Sequence, residues 1–302
     1  MNPTAGLHHV TAIASDGNAN LDFYQNLLGM RLVKKTVNFD VPDTYHLYYG
    51  NEAGEPGTAL TFFLWPHLPQ ARPGHGVTHL TRLAVTPGSL DAWAERFQHH
   101  NLPVRRETRF GEEILSFQDP DGMTLALTGR DLGATTDSEA LKVLGFDGVE
   151  LQVQEPEATR NLLLAMGYSE YARDGDRERL KAGGKAELGQ YVDLHITPDA
   201  PPARQGLGAV HHIAFRAVDA GHQSDFHQLA TRMGHTPSPV MDRTYFQSIY
   251  FREPNGILFE VATDQPGFTV DEPLETLGQA LKLPPPLEPH RAKIEASLPT
   301  LH

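Results

Sequence analysis

The chain repeats itself. Four times, a short apolar strand pattern is followed by a helix-like stretch and then by a strand-rich run. The strand patterns are Leu7-His8-His9-Val10-Thr11-Ala12-Ile13, Val77-Thr78-His79-Leu80-Thr81-Arg82-Leu83, Gly148-Val149-Glu150-Leu151-Gln152-Val153 and Val210-His211-His212-Ile213-Ala214-Phe215. The helix-like stretches cover 20–30, 89–100, 157–167 and 224–234. Three of them run into Gly29, Gly167 and Gly234, the residue that closes helices in the left-handed conformation. Aligned on His9, His79, Glu150 and His212, the copies are 70, 71 and 62 residues apart. A unit of roughly sixty residues with one open sheet cannot bury its apolar face alone, so units of this kind must pair.

Two copies also share a hairpin. Phe117-Gln118-Asp119-Pro120-Asp121-Gly122 matches Phe251-Arg252-Glu253-Pro254-Asn255-Gly256. Pro presets the first turn residue, and Asp or Asn with Gly accepts positive φ. The pattern predicts an α+β fold of four βαβββ modules, at 5–66, 76–130, 143–198 and 208–264, paired into two open barrel-like halves. Past residue 264 the repeat stops. The tail, 265–302, is expected to wrap or cover, with a short helix from Asp271 through Lys282, a break at Pro284-Pro285-Pro286, and a second helix between Pro289 and Leu298.

Composition narrows the chemistry. Cysteine is absent, so disulfides and thiolate metal sites are excluded, while 16 histidines, several in adjacent pairs, leave imidazole and carboxylate as metal ligands. A formal net charge of −13 disfavours nucleic acid and anionic membranes as partners. No run approaches the ~20 apolar residues that span a bilayer. The opening residues lack the basic cap and apolar core of a secretion signal, which makes the cytoplasm the expected compartment. Whether copies associate into a homo-oligomer is left open.

Two His and one carboxylate on one face of an ion, with open positions remaining, is the arrangement used by non-haem iron(II). The fourth module offers His212 on its first strand and Glu260 on its last, within Gly256-Ile257-Leu258-Phe259-Glu260-Val261-Ala262. A Glu in an apolar strand needs a cation or a proton when buried. The second module carries Ala126 at the matching hairpin position, so the fold of the unit does not require the acid. A third ligand from module three would be Glu150, and from module one His9. A two-His-one-Glu set therefore favours pairing modules one and four around His9, His212 and Glu260, leaving two and three as the other half. Side chains alternate along a strand, so only one member of each His pair faces the ion. The second members, His9 and His212, are the expected ligands, with His8 and His211 behind them. Arg243 and Tyr250 lie close by in the fourth module, as a fixed positive charge and a hydroxyl donor. His79, Glu150 and His195 form a rival cluster in the middle pair.

With these residues in place, the chain resembles the vicinal oxygen chelate superfamily, which includes glyoxalase I, extradiol dioxygenases and fosfomycin-resistance proteins. The segments that carry the resemblance are Leu7-His8-His9-Val10-Thr11, Val210-His211-His212-Ile213-Ala214-Phe215 and Leu258-Phe259-Glu260-Val261-Ala262-Thr263. Within it, Tyr45-His46-Leu47-Tyr48-Tyr49-Gly50, Gly54-Glu55-Pro56-Gly57-Thr58, Thr61-Phe62-Phe63 and the tail segment 283–291 are most similar to ring-cleaving dioxygenases of hydroquinones. Glu150 at the third-module position agrees with that subgroup. The resemblance implies one iron(II) per chain, or alternatively manganese(II), on His9, His212 and Glu260. It implies functional roles beside the metal for His8, Thr11, His211, Arg243 and Tyr250, with a small dihydroxy aromatic and O2 as partners. The alternatives are a glyoxalase-like isomerase or lyase, which would want a second carboxylate at the metal, and a non-catalytic binder of quinones or antibiotics.

Overall fold

The computed structural model describes residues 2–132, 141–185 and 187–302; residue 186, inside the third predicted module, lies outside the described residues. The first run is β1 (Leu7–Ala14), α1 (Gly17–Leu21), a π-helical stretch (Asp22–Leu27), β2 (Arg31–Val37), β3 (Tyr45–Gly50) and β4 (Ala59–Leu64). The second is β5 (Val77–Val85), α2 (Leu90–His99), β6 (Arg105–Arg109), β7 (Glu112–Gln118) and β8 (Thr124–Gly129). The third is β9 (Val143–Val153), α3 (Pro156–Ala165), β10 (Tyr168–Asp174), β11 (Arg177–Ala182) and β12 (Tyr191–Ile196). The fourth is β13 (Val210–Ala217), α4 (Ala220–Arg232), β14 (Met241–Asp242), β15 (Gln247–Arg252) and β16 (Leu258–Thr263), and α5 (Arg291–Ser297) lies near the end.

These strands form two curled eight-stranded sheets, the α+β half-barrels that the repeat predicts. One has the order β14-β15-β16-β13-β1-β4-β3-β2 and the other β10-β11-β12-β9-β5-β8-β7-β6. The first and fourth runs thus share a sheet, joined at its centre by the antiparallel pair β1 and β13. Strand alternation assigns the faces. Val10, Ala12, Ile213, Phe215, Phe259 and Val261 enter the main apolar core, which also takes residues of the second sheet. His9, Thr11, His212 and Glu260 alternate with them and turn to the concave side. Helix α2 buries Leu90, Trp93 and Phe97, spaced three and four apart as an amphipathic face requires.

The two hairpin tips lock the sheets together. Gly122 and Gly256 sit at φ 88° and 90°, the conformation their turns demand. Asp121 accepts from the Ser15 amide and Asp119 from the Tyr24 hydroxyl of the other sheet. In the mirrored contact, Asn255 accepts from the Gln154 and Glu155 amides, and Thr159 donates to Glu253.

Two expectations are corrected. His79 and Glu150 do not occupy the places of His212 and His9. Arg82 pairs with Ala126 as Ala214 pairs with Glu260, so Leu80, two residues before Arg82, stands where His212 does. Leu80 faces Glu150 as His212 faces Thr11, which puts Glu150 in the place of Thr11 and Gly148 in that of His9. His79 falls in the place of His211, each being skipped by a register irregularity of its central strand pair, and it is exposed. The tail helix expected from Asp271 is only a 3-10 turn, Leu274–Thr276. Asp271 and Glu272 are instead tied to the buried Lys34 ammonium, each at 2.5 Å, and Leu281 bridges to Lys35 in β2. The second tail helix is present as α5.

Candidate metal centre

His9 comes from β1, His212 from β13 and Glu260 from β16, three neighbouring strands of one sheet. Their ligand atoms converge. His9 Nε2 lies 3.4 Å from His212 Nε2, and Glu260 Oε2 lies 3.2 Å from the first and 2.9 Å from the second. All three side chains are buried, Glu260 completely. Burial pushes the Glu260 carboxyl up, but the two imidazoles outweigh it and hold the group well below the ordinary range. Among the described residues Oε2 still meets no donor in hydrogen-bonding geometry. A buried carboxylate oxygen left without a donor, beside two imidazole nitrogens, fits a divalent cation. Among the described residues this is the one group of three such side chains able to share an ion.

The groups behind the ligands fix their orientation. His8 Nδ1 is 3.0 Å from His9 Nδ1, and His8 Nε2 is 3.1 Å from the Thr263 carbonyl. His211 Nδ1 is 2.8 Å from His212 Nδ1. An imidazole that binds through Nε2 keeps its hydrogen on Nδ1. With an ion on both Nε2 atoms, His9 and His212 would donate from Nδ1, His8 and His211 would accept, and their own hydrogens would sit on Nε2. Burial first, then the neighbouring imidazole, lowers His8 and His211 to about 3, so both stay neutral and able to accept. Ser248 donates to Glu260 Oε1 from the adjacent β15.

The triad opens on a cavity of about 340 Å³ whose lining includes His9, His212, His211, Arg243 and Tyr250. Tyr250 pairs with Glu260 across β15 and β16. Arg243 Nε is 3.3 Å from the Tyr250 hydroxyl, and its Nη2 is 3.1 Å from Asp40 Oδ2. Burial opposes the Arg243 charge, but Tyr250 and Asp40 outweigh it and the pKa rises. Burial and Glu260 raise the Tyr250 hydroxyl, so it remains a donor. Thr11 stays beneath this surface, bonded to Thr61 at 2.8 Å.

The Glyoxalase/Bleomycin resistance protein/Dioxygenase superfamily model matches residues 6–127. A Bacillus subtilis protein named as a candidate ring-cleaving dioxygenase, MhqO, is 43% identical over 304 residues, covering 98% of this chain and 96% of that one. The chlorohydroquinone/hydroquinone 1,2-dioxygenase of Sphingobium indicum is 33% identical over 301 residues, covering 94% and 92%. A crystal structure of a candidate dioxygenase from Bacillus subtilis superposes with a TM-score of 0.94 at 42% identity, covering 100% and 99%. The chain belongs to this superfamily.

For a member of the glyoxalase/dioxygenase superfamily, the rival cluster is equally informative. Glu150 is held by Arg177 at 2.9 Å and His195 at 3.5 Å, and His195 by Asp176 at 3.1 Å. Arg177 also lies 3.3 Å from His195 Nδ1, so its guanidinium bridges Glu150 and His195. The cavity wall also contains residues to which sequence reasoning gave no role in the site: His46 and Tyr48 of β3, Phe63, Trp65 and Phe246. The alternation of polar and apolar residues in β15 could have found Ser248, two residues before Tyr250. The apolar ring wall comes from three separate segments, with no local pattern to announce it.

Proposed function

We propose that the chain is a non-haem iron(II)-dependent dioxygenase that opens the ring of hydroquinones, extradiol in type. The observation that carries this is the buried triad of His9, His212 and Glu260 at the wall of an aromatic-lined cavity. The name of the Sphingobium indicum relative supports the substrate class. A divalent ion on the triad supplies the charge that acidifies a phenolic hydroxyl and the electronic path from ring to O2.

The chain's own groups do the rest. Phe63, Trp65 and Phe246 give the cavity an aromatic wall against which a flat ring can pack. Arg243 and Tyr250 face one substrate oxygen, the guanidinium steadying negative charge and the phenol donating a hydrogen bond. His211, neutral and at the cavity wall, can donate a hydrogen bond from Nε2 to an oxygen that gains charge. His8 is held to the Thr263 carbonyl, so its part is to fix His9. Asp40 is the one acid among the described residues lining the cavity apart from the triad, and it is paired with Arg243. That leaves no second carboxylate for the proton abstraction a glyoxalase-like reaction would want.

The test is anaerobic loading with Fe(II) or Mn(II), then O2 uptake with substituted hydroquinones and catechols. One O2 consumed per hydroquinone, with a ring-opened product, is expected. Cleavage of catechols alone would move the chain to a different substrate class, and ligand binding without metal or O2 dependence would make it a binding protein.

A further inference from the structure

A hydrogen-bonded row runs from the cavity wall into the sheet beneath it. Tyr48 Oη is 2.9 Å from His46 Nδ1, His46 Nε2 is 2.8 Å from Thr61 Oγ1, and Thr61 Oγ1 is 2.8 Å from Thr11 Oγ1. The row spans β3, β4 and β1 and ends at Thr11, which faces His212 across the sheet. Both His46 and Tyr48 line the cavity and are buried. Every group in the row is neutral: burial lowers His46 well below its ordinary value and raises Tyr48 well above its own. Tyr48 also lies within electrostatic reach of Tyr250 and Arg243.

Satisfying buried polar groups does not require this choice. In the sister sheet the same four positions hold Glu150, Asp193, Arg177 and Arg179, joined as ion pairs. Charged partners can donate in one direction only. In the neutral row each hydroxyl both donates and accepts, and imidazole does one at each nitrogen. The row can therefore run in either sense. If Tyr48 donates to His46 Nδ1, its oxygen accepts from the cavity. If Thr61 donates to His46 Nε2, then His46 donates from Nδ1 to Tyr48, whose hydrogen points into the cavity.

We propose that Tyr48 is a third hydrogen-bonding group for the substrate oxygen faced by Arg243 and Tyr250, and that His46 is the positioning residue that lets it accept from a hydroxyl and donate to a carbonyl or phenolate. This rests on the ring-cleaving reading of the cavity. Ring opening converts a hydroxyl-bearing carbon of the substrate into a carbonyl, and a group that can reverse its bond follows that change without an unpaired donor.

The experiment compares anaerobic binding of hydroquinone and phenol to the Fe(II)-loaded protein by calorimetry. The ratio of the two dissociation constants reads the second hydroxyl alone. Tyr48→Phe is expected to reduce the wild-type preference for hydroquinone by about three- to tenfold, the worth of one hydrogen bond, with phenol binding nearly unchanged. His46→Phe should reduce it partly, and His46→Asn, whose amide can stand near the place of Nδ1, should restore part of it. Should Tyr48→Phe fail to fold, the two His46 variants decide. An unaltered ratio in the variants, or no preference for hydroquinone in the wild type, overturns the inference; continued hydroquinone cleavage by the wild type then leaves the functional reading standing. A wild type that neither binds nor cleaves hydroquinone overturns both.

Discussion

The two sheets share one topology and fill their concave faces in opposite ways. In the first sheet His212 and Glu260 face a potential ion together with His9, and Ser248 holds the other oxygen of Glu260. At the same three places the second has Leu80, Ile114 and Ala126, which pack together as a small apolar cluster. Where the first carries the neutral row of Thr11, Thr61, His46 and Tyr48, the second carries a lattice of ion pairs. Arg82, only 1% exposed, donates to Asp147 at 2.8 Å and to Asp193, and Arg179 bonds Asp193 at 2.9 Å and Glu112 at 2.9 Å. The half-barrel thus tolerates either filling. Its backbone hydrogen bonds and outer core set the curvature, and the concave face is free to specialise. One sheet spends those positions on internal stability and the other on a cavity with a buried carboxylate oxygen that has no hydrogen-bond donor among the described residues.

The sharpest way to break the comparison is to give the first sheet the amide isostere of its acid. Glu260→Gln keeps shape and the Ser248 contact but removes the charge. Iron content should fall by orders of magnitude, with the circular dichroism spectrum and thermal midpoint of the metal-free protein retained, because the sister unit folds with Ala126. Near-normal iron with near-normal turnover would refute the ligand assignment.

The converse change belongs to the second sheet. Asp193→Ala strips Arg82 and Arg179 of a shared partner and leaves two buried guanidiniums short of charge. Loss of one member of a buried ion network costs about 3–5 kcal/mol, so urea unfolding should show a drop of that order. Iron bound per folded chain should stay at the wild-type value. A variant that loses iron without losing stability would show that the sheets are not the separate specialists described here.

Much of this contrast is legible in the sequence. The grouping of His9, His212 and Glu260 follows from an acid in an apolar strand, an alanine at the same place in the sister hairpin, and a second His pair in the first run. Register is not legible. Which residue of β5 meets β8 and β9 is a matter of backbone hydrogen bonding, and no side chain marks it, so His79 looks equivalent to His212 although it stands in the place of His211. Local sequence also misreads the tail. Asp271 and Glu272 resemble a helix start, yet their partner is Lys34, more than two hundred residues earlier. His46 and Tyr48 lie in a segment aromatic on both faces, Tyr45-His46-Leu47-Tyr48-Tyr49, where alternation gives no hint of which residues face the cavity.

Within the first sheet, Arg243→Ala and Tyr250→Phe separate substrate handling from metal holding. Both residues face the cavity and neither reaches the triad as a ligand. Loss of one preorganised donor to a developing charge costs about 2.7–4 kcal/mol, or 10²–10³ in rate. Turnover should fall to that extent with iron unchanged. The second sheet has Ser116 in the place of Tyr250, so a phenol is not required there by the fold. Unchanged kinetics in both variants would return these residues to the scaffold.

The smallest effect tests what joins the two sheets. Asp119, at the hairpin tip of the second sheet, is buried against Tyr24 of the first and accepts from its hydroxyl at 2.9 Å. Burial raises its carboxyl to about 6 from 3.8, outweighing the bonds from the Met123 amide and Tyr24. The folded state therefore holds this proton more tightly than the unfolded state. Its contribution is fully present below pH 4 and is lost as pH rises through about 6. Asp119→Asn removes the titration while keeping an oxygen for the Met123 and Asp121 amides, and its amide can donate to the Tyr24 oxygen. Between pH 4 and 7 the variant should gain on the wild type by on the order of 2 kcal/mol, measured as the difference of their urea unfolding free energies. Glu253, at the matching tip, is also raised by burial, so Glu253→Gln should change the pH dependence in the same direction. A difference that stays flat across this range would mean that the Asp119 carboxylate is charged in the folded state, stabilised by the donors around it, and that the hairpin lock is insensitive to pH.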